Sequence, residues 1–348
     1  MAIGRSVFNN ISMLMAGKAS PKDIARVLDR LAIEPSGNLD TLPLDSVNVA
    51  AAQVLCKKYV GLGDYIADMN AYVADAANRR AHIVCFPALA GLLPLSFLPH
   101  FSSMLPQLQI TGGDIPDPER VRECLSHLSE IMFDAYFNTM SALAARHGVY
   151  IMAGSAVYLD EGEMRHRAFL FDHTGEIAGT QDKIVLSRLE RALGITPGTD
   201  VKAFSTPMGC FSMIIESDIL YFETARAAKS QGAQVILHPA LFPGSYTPMD
   251  SAGGLSLRVQ ENSIYGVQCT MIGDTGLGVN LEAPCAVYAP NELLRARVKN
   301  GLMAQSSGKN EPDVLCATLD LEVIANIRNP YLHDRNPDLL GRYIDKLY

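Results

Sequence analysis

The segment at residues 209–223 constrains the fold more than any other part of the chain. An apolar run from Cys210 to Ile215 stops at three polar residues, and an amphipathic segment and a second apolar run at 233–237 follow. This succession predicts a buried strand, a tight elbow, a helix and another strand, as in α/β proteins. Asp218 is predicted to cap the helix, and the elbow places Glu216 at the end of a buried strand, where ligands commonly bind.

Composition restricts the class of protein and its partners. Of the 348 residues, 48% are hydrophobic and 19% are charged, which suits one large domain with a packed core. The net charge is −8 and the basic residues are scattered, so we expect neither a nucleic-acid nor a membrane partner. Seven cysteines without Cys-x-x-Cys spacing indicate reduced core residues. No long apolar run or signal peptide is evident, so a cytoplasmic location is predicted.

Helical and strand patterns alternate along the rest of the chain. In the N-terminal part, Ser20 and Pro21 begin a predicted helix that ends by Pro35, and it is expected to pack on the domain or on a neighbouring subunit rather than on a membrane. Five prolines predict a loop at 93–118, a surface insertion that could serve as a lid or an oligomer contact. Further predicted elements are strands at 47–57, 82–86, 149–159, 168–171 and 233–237, and helices at 64–80, 118–146 and after the elbow.

Several short motifs occur in an order that resembles the nitrilase, or carbon–nitrogen hydrolase, superfamily. The family's elbow pattern is matched at Gly209, Ile215, Asp218 and Glu223, and Lys183 and Glu190 have the spacing of its Lys-x-His-Leu-x-Pro-x-Glu motif. The resemblance also includes Phe86-Pro87-Ala88, Arg258 to Asn262 and the closing motif at 334–339. The predicted boundaries are 1–46 for an N-terminal helical extension, 47–340 for the nitrilase-like domain and 341–348 for a C-terminal tail.

The resemblance implies both a fold and a reaction. The implied fold is α/β, a four-layer α-β-β-α sandwich, in a homodimer or a higher homo-oligomer. The implied reaction uses a cysteine thiolate as nucleophile, a glutamate as general base and a lysine that holds the oxyanion. We expect no cofactor and no metal.

Two of the family's three catalytic positions carry other residues. Glu216 occupies the cysteine position, and Ala88 occupies the position of the general base, where an alanine cannot accept a proton. Lys183 and Glu190 are retained. Because the loss of one carboxylate at position 88 coincides with the gain of another at position 216, Glu216 is predicted to pair with Lys183, with Glu190 close behind.

Three functions remain open on this basis. The favoured one is a non-catalytic protein that binds a small amide, nitrile or carboxylate-like ligand or serves as a subunit. The second is a hydrolase with altered chemistry that uses Glu216 or Ser217, and the third is a purely structural oligomer component. His238, at a predicted strand end, is expected to be a hydrogen-bonded wall of the pocket rather than a catalyst. A ligand-binding site should reach solvent, whereas a structural ion cluster should be sealed.

Overall fold

The fold is taken from a computed structural model, which describes residues 19–35, 46–97, 117–247, 250, 253–294, 301–307, 311–327, 338 and 342. The helices are α1 Pro21–Arg30, α2 Leu62–Asn78, α3 Pro118–His147, α4 Arg188–Ala192, α5 Phe222–Ser230, α6 Leu255–Asn262, α7 Asn291–Leu294 and α8 Leu321–Ala325, with 3₁₀ helices at Ala90–Phe97 and Glu216–Leu220. The strands are β1 Val47–Leu55, β2 Ile83–Cys85, β3 Tyr150–Asp160, β4 Glu163–Phe171, β5 Ile177–Asp182, β6 Ala203–Thr206, β7 Gly209–Met213, β8 Val235–Ala240, β9 Gly244–Ser245, β10 Tyr265–Asp274, β11 Asn280–Glu282, β12 Ala286–Tyr288, β13 Leu302–Gln305 and β14 Asp313–Leu319.

The strands form two halves that meet along one pair. The first half has the order β5-β4-β3-β2-β1 with β14 beside β1, and the second has the order β10-β8-β7-β6 with β12 and β13 beyond β10. Strands β1, β2 and β3 pair in parallel, as do β7, β8 and β10. The halves join where Val54 and Leu55 of β1 pair in parallel with Met271 and Ile272 of β10.

The core shows that these halves are stacked layers. Val49 and Ala51 of β1 share a buried cluster with Leu237 of β8 and Val267 of β10, so this side of β1 faces the second sheet. The alternate residues of β1 belong to a different cluster, with side chains of α2 and α3. The outer side of β8 packs against α5 and α6 through a third cluster. The order is therefore helix, sheet, sheet, helix, as predicted.

Most of the predicted elements are present within one or two residues of their expected bounds. In helix α1, the Ser20 side chain accepts a hydrogen bond from Asp23 and Pro21 occupies the first turn, as the sequence indicates. The helix packs against α3, where Arg146 pairs with Asp29 at 2.7 Å. This contact agrees with the expected packing of the N-terminal segment on the domain.

The structure differs from the prediction for residues 93–118, and it describes only part of each terminal segment. The predicted loop begins inside the 3₁₀ helix Ala90–Phe97, which is almost wholly apolar and largely buried. Residues 98–116 and nearly all of the closing motif at 334–339 lie outside the described residues. The three domain boundaries therefore stay predictions. No helix in the described ranges is long and apolar enough to cross a membrane.

Candidate functional site

Lys183 is held at the end of strand β5 in the interior of the protein. Its backbone N–H donates to the carbonyl of His166 at 2.8 Å, and its carbonyl accepts from Gly198 at 2.8 Å, so the backbone is fixed on both sides. The side chain is only 1% exposed. A buried ammonium must have anionic or polar partners, because the interior solvates charge poorly.

Glu190 is one partner of Lys183, and a helix cap holds its carboxylate in place. Ser187 is the N-cap of α4, and the carboxylate of Glu190 at the third position accepts from the Ser187 N–H at 2.7 Å, which completes a capping box. The same carboxylate accepts from Nζ of Lys183 through both oxygens, at 2.9 and 2.8 Å. The cap therefore fixes the orientation of the carboxylate that pairs with Lys183.

Glu216 is the second partner and has an unusual backbone conformation. It begins the 3₁₀ helix after β7, and its φ of +45° lies in the left-handed region, which a residue with a side chain rarely adopts. Its Oε2 accepts from Nζ of Lys183 at 2.5 Å. The predicted pair of Glu216 with Lys183 is thus present, with Glu190 on the same ammonium. We call Lys183, Glu190 and Glu216 the Lys183 cluster.

The elbow is joined to the segment after Lys183 by two further side chains. Asp218 accepts from the N–H groups of Ile184 at 2.9 Å and Val185 at 2.7 Å, and the Ser217 hydroxyl donates to the Val185 carbonyl at 3.3 Å. The prediction that Asp218 caps the following helix is wrong. Helix α5 begins only at Phe222, without a side-chain cap, because the Asp218 carboxylate is used across the elbow.

A chain of buried hydrogen bonds connects the Ala88 position to Glu190. Ala88 is fully buried, and the N–H of the next residue, Leu89, donates to the Ser155 hydroxyl at 3.0 Å. The Ser155 hydroxyl lies 2.7 Å from Nε2 of His166, whose Nδ1 lies 2.7 Å from Oε1 of Glu190. The Glu190 carboxylate thereby places the proton on Nδ1, which orients the imidazole. Ser155 itself has no exposed surface, so no substrate can reach its hydroxyl.

Sequence reasoning missed Ser155 and His166. A signal for His166 was present, because β4 alternates between outward arginines at 165 and 167 and inward residues at 164, 166 and 168. A histidine on the inward side of such a strand needs polar partners. Ser155 gave no comparable signal, since a serine in a buried strand is common.

His238 is hydrogen-bonded to the backbone that precedes the elbow. It is 1% exposed in β8, and its Nδ1 donates to the carbonyl of Ile214 at 2.8 Å. Burial lowers the pKa of His238 to about 4, although the bond to Ile214 acts in the opposite direction. A neutral, hydrogen-bonded histidine in a sheet agrees with the predicted structural role, while its place in a pocket stays a prediction.

The opposite charges of the cluster stabilise one another, which offsets the cost of burying them. Burial acts to lower the pKa of Lys183, but Glu216 and Glu190 together raise it above its usual value. Burial likewise acts to raise the pKa of Glu190, but hydrogen bonds and charge from His166 and Lys183 hold it well below its usual range. Lys183 and Glu190 therefore stay charged at neutral pH.

Three side chains of the site could also serve as metal ligands. His166, Glu190 and Glu216 each offer one ligand atom, and these atoms lie within 4.8 Å of one another. The Lys183 ammonium already donates to both carboxylates, and it supplies the positive charge that a metal ion would bring. The donor set thus suits an internal ion pair better than a metal.

The geometry restricts the chemistry of this site. The elbow position has a carboxylate instead of a thiol, and the seven cysteines are free thiols at other positions. An ammonium has three N–H groups, and all three contacts of Lys183 Nζ are to the cluster's own carboxylates. As arranged, the site has neither a thiol nucleophile nor a free lysine N–H for an oxyanion.

Comparison with known proteins gives consistent matches. The sequence model described as "Carbon-nitrogen hydrolase" matches residues 48–329. The probable hydrolase YhcX of Bacillus subtilis is 26% identical over 325 residues, which cover 87% of this chain and 58% of that protein, so the chain spans little more than half of this relative. An omega-amidase of Xenopus tropicalis is 23% identical over 211 residues, or 58% of this chain and 72% of that protein.

The fold has a counterpart among solved structures. A mutant of the Nesterenkonia AN1 amidase from the nitrilase superfamily superposes with a TM-score of 0.63 at 19% identity, and the match covers 87% of this chain and all of that one. At this identity the similarity concerns the fold alone. It supports the mixed α/β architecture described above.

Proposed function

The chain belongs to the carbon–nitrogen hydrolase family, and from this premise we propose that it binds a small ligand at the Lys183 cluster without hydrolysing it. The observation that supports the proposal most strongly is the set of hydrogen bonds that Lys183 donates. Its three hydrogen bonds go to Glu190 and Glu216, whereas the reaction implied by the family resemblance needs this lysine to hold an oxyanion. With Glu216 at the nucleophile position and Ala88 at the base position, the three catalytic roles are all unfilled.

The exposure of the cluster favours a binding site over a structural ion cluster. The Glu216 side chain is 17% exposed, whereas that of Lys183 is 1% exposed. A purely structural cluster gains from complete exclusion of water, because the attraction between its charges is stronger at low dielectric. The partial opening at Glu216 supports a role in which the elbow meets a ligand.

The second candidate is a hydrolase that uses Glu216 or Ser217 in a different reaction, and the positive φ at Glu216 favours it. Strained backbone is concentrated at functional sites, and this elbow orients a carboxylate toward the cluster. Against it, Glu216 is hydrogen-bonded to an ammonium that lowers its nucleophilicity, and the Ser217 hydroxyl donates to a backbone carbonyl. The relatives named as hydrolases and amidases make this candidate worth a direct test.

We predict that the purified protein will not release ammonia from amides, nitriles, carbamoyl compounds or the ω-amide of a dicarboxylic acid. The panel should be run on the wild-type protein and on Lys183→Ala, with ammonia detected by a coupled assay. Turnover well above background that Lys183→Ala abolishes would contradict the proposal.

We keep a cytoplasmic location as part of the proposal, supported by seven free thiols.

A further inference from the structure

The part of the cluster that remains available to a ligand is an acceptor, not a donor. Oε2 of Glu216 accepts from Lys183, while Oε1 receives no hydrogen bond from any side chain or backbone group that the structure describes. The Lys183 N–H groups point to Glu190 and to the other oxygen of Glu216. A ligand at the elbow can therefore donate a hydrogen bond to this carboxylate oxygen.

The charge balance at this position is negative. One ammonium faces two carboxylates, so the cluster has one negative charge in excess. The buried Asp218 lies on the same elbow, where backbone N–H groups of Ile184 and Val185 bind its carboxylate. His166 is bonded to Glu190 through Nδ1 and to Ser155 through Nε2, so it directs no donor at Glu216.

These observations exclude an anion as the best ligand. A carboxylate at Glu216 Oε1 would bring two anionic groups together in a partly buried place, where their repulsion disfavours binding. A neutral amide could donate one N–H to the carboxylate. A primary ammonium, amidinium or guanidinium donates and also neutralises the excess charge, and such charge-assisted hydrogen bonds are about twice as strong.

We propose that the ligand of the Lys183 cluster is a small organic cation that donates its N–H groups to Oε1 of Glu216. The inference rests on the proposed binding function and narrows it, because sequence reasoning left amide, nitrile and carboxylate-like ligands open. It assigns Glu216 the role of specificity determinant. The retained Lys183 then serves to hold Glu216 in place rather than to bind the ligand.

Four probes of equal chain length test the ligand class: propylammonium, propionamide, propionitrile and propionate. Binding is measured as the shift in melting temperature and by isothermal titration, at ionic strength matched with NaCl. Propylammonium is expected to bind at least tenfold more tightly than propionamide, and propionate is expected not to bind. Because surface and partly buried charges are screened by salt, the propylammonium affinity should fall as NaCl is raised.

Variants of Glu216 test whether this residue determines the ligand preference. Glu216→Gln keeps the size of the side chain and an acceptor for Lys183 but removes the excess charge, so the affinity for propylammonium should fall at least tenfold. Glu216→Asp keeps the charge and should keep the preference for the cation. Glu176→Gln, which changes an exposed carboxylate in the turn before β5, is the matched control and should behave as wild type. If Glu216→Gln does not fold, the salt dependence in the wild-type protein decides.

The outcomes separate the inference from the proposed function. Tighter binding of propionate, propionamide or propionitrile than of propylammonium would overturn the cation inference and leave the binding function standing. Undiminished propylammonium affinity in Glu216→Gln would also overturn it, since the cation would then bind elsewhere. If none of the four probes binds, both the inference and the proposed binding function fail.

Discussion

At the scale of single residues, the exchange of two side chains changes what the retained lysine can do. Glu216 places a carboxylate within 2.5 Å of Nζ, and this contact uses the N–H group that would otherwise face a ligand. Ala88 contributes no charge, and a chain of buried hydrogen bonds connects its segment to Glu190.

This link yields a prediction for restored chemistry. Glu216→Cys alone frees one Lys183 N–H but provides a thiol without a base, and Ala88→Glu alone places a third carboxylate near one ammonium. The double variant restores nucleophile, base and oxyanion donor, and general-base assistance is typically worth about 10² to 10⁴ in rate. We expect a reactive acyl donor to label residue 216 in the double variant only, before any turnover is seen.

Intact mass followed by peptide mapping measures this labelling. The wild-type protein is the control for background reaction at its seven cysteines. If either single variant is labelled at position 216 as fast as the double variant, the triad argument does not hold for this site.

His238 provides a prediction for stability against pH. Burial lowers the pKa of His238 from 6.5 to about 4, so between these values the unfolded chain binds a proton that the native protein does not. Stability therefore rises with pH from about 4 to 6.5 by about 3 kcal/mol through this residue. Above pH 6.5 the contribution is fully present, and it is lost as the pH falls to 4.

Comparison with a variant isolates this contribution. Asp218, whose pKa burial raises to about 6, has the opposite dependence, but it is common to wild type and variant. The difference in unfolding free energy between wild type and His238→Asn should grow by about 3 kcal/mol from pH 4 to 6.5 in urea titrations. A difference that stays constant between pH 4 and 6.5 would contradict the assignment.

The cluster was only partly predictable from sequence. Lys183 and Glu190 were predicted from their match to the family motif, and the pairing with Glu216 followed from a charge argument. Ser155 and His166 were missed because the hydrogen bonds that involve them depend on the register of β3 against β4, which periodicity does not determine. The motif and the charge argument thus predicted the contacts of Lys183, whereas the contacts that depend on strand register were missed.

At the scale of elements, strand and helix bounds were predictable where a pattern was long. Helix α3 has a proline in its first turn and Gly148 in the left-handed conformation after its end, and both signals are visible in the sequence. The start of α5 was not predictable, because Asp218 looks like a cap but binds Ile184 and Val185, more than 30 residues earlier. A tertiary contact overrode the local preference.

Gly154 in β3 lies closely against the segment that contains Ala88. Its φ is +77°, and an added Cβ would lie 1.9 Å from the carbonyl oxygen of Pro87. Gly162, in the turn between β3 and β4, has a similar φ of +88° but open space around it. Substitutions at these two glycines therefore distinguish the effect of backbone strain from that of steric overlap.

We predict that Gly154→Ala destabilises the protein far more than Gly162→Ala. The control should lose about 1 to 2 kcal/mol from backbone strain alone, whereas Gly154→Ala should lose at least about 3 kcal/mol because Pro87 must also move. Urea-induced unfolding measures both. Equal losses would mean that Pro87 yields easily and that Gly154 does not determine the position of Ala88.

At the scale of the whole molecule, exposed apolar side chains gather beside the elbow. Leu220, Tyr221 and Phe222 are each more than 40% exposed and consecutive, and Leu257 on α6 is also exposed. The neighbouring Arg258 donates to the carbonyls of Ile219 and Leu220, at 3.0 and 2.9 Å, which brings these side chains into one area. We call Leu220, Tyr221, Phe222 and Leu257 the elbow patch. Contiguous exposed apolar surface of this kind commonly marks a protein interface.

We predict that the protein forms a homodimer in which two copies of the elbow patch meet about a two-fold axis. Such an interface is isologous, so a single substitution acts twice, and Phe222→Glu would place like charges near each other in an apolar contact. Sedimentation velocity should give twice the protomer mass for the wild type and a shift to monomer for Phe222→Glu. Ile177→Glu, at an exposed apolar position on β5 outside the patch, is the matched control and should remain dimeric. A wild-type monomer at micromolar concentration, or a Phe222→Glu dimer as stable as the control, would show that the elbow patch has another role.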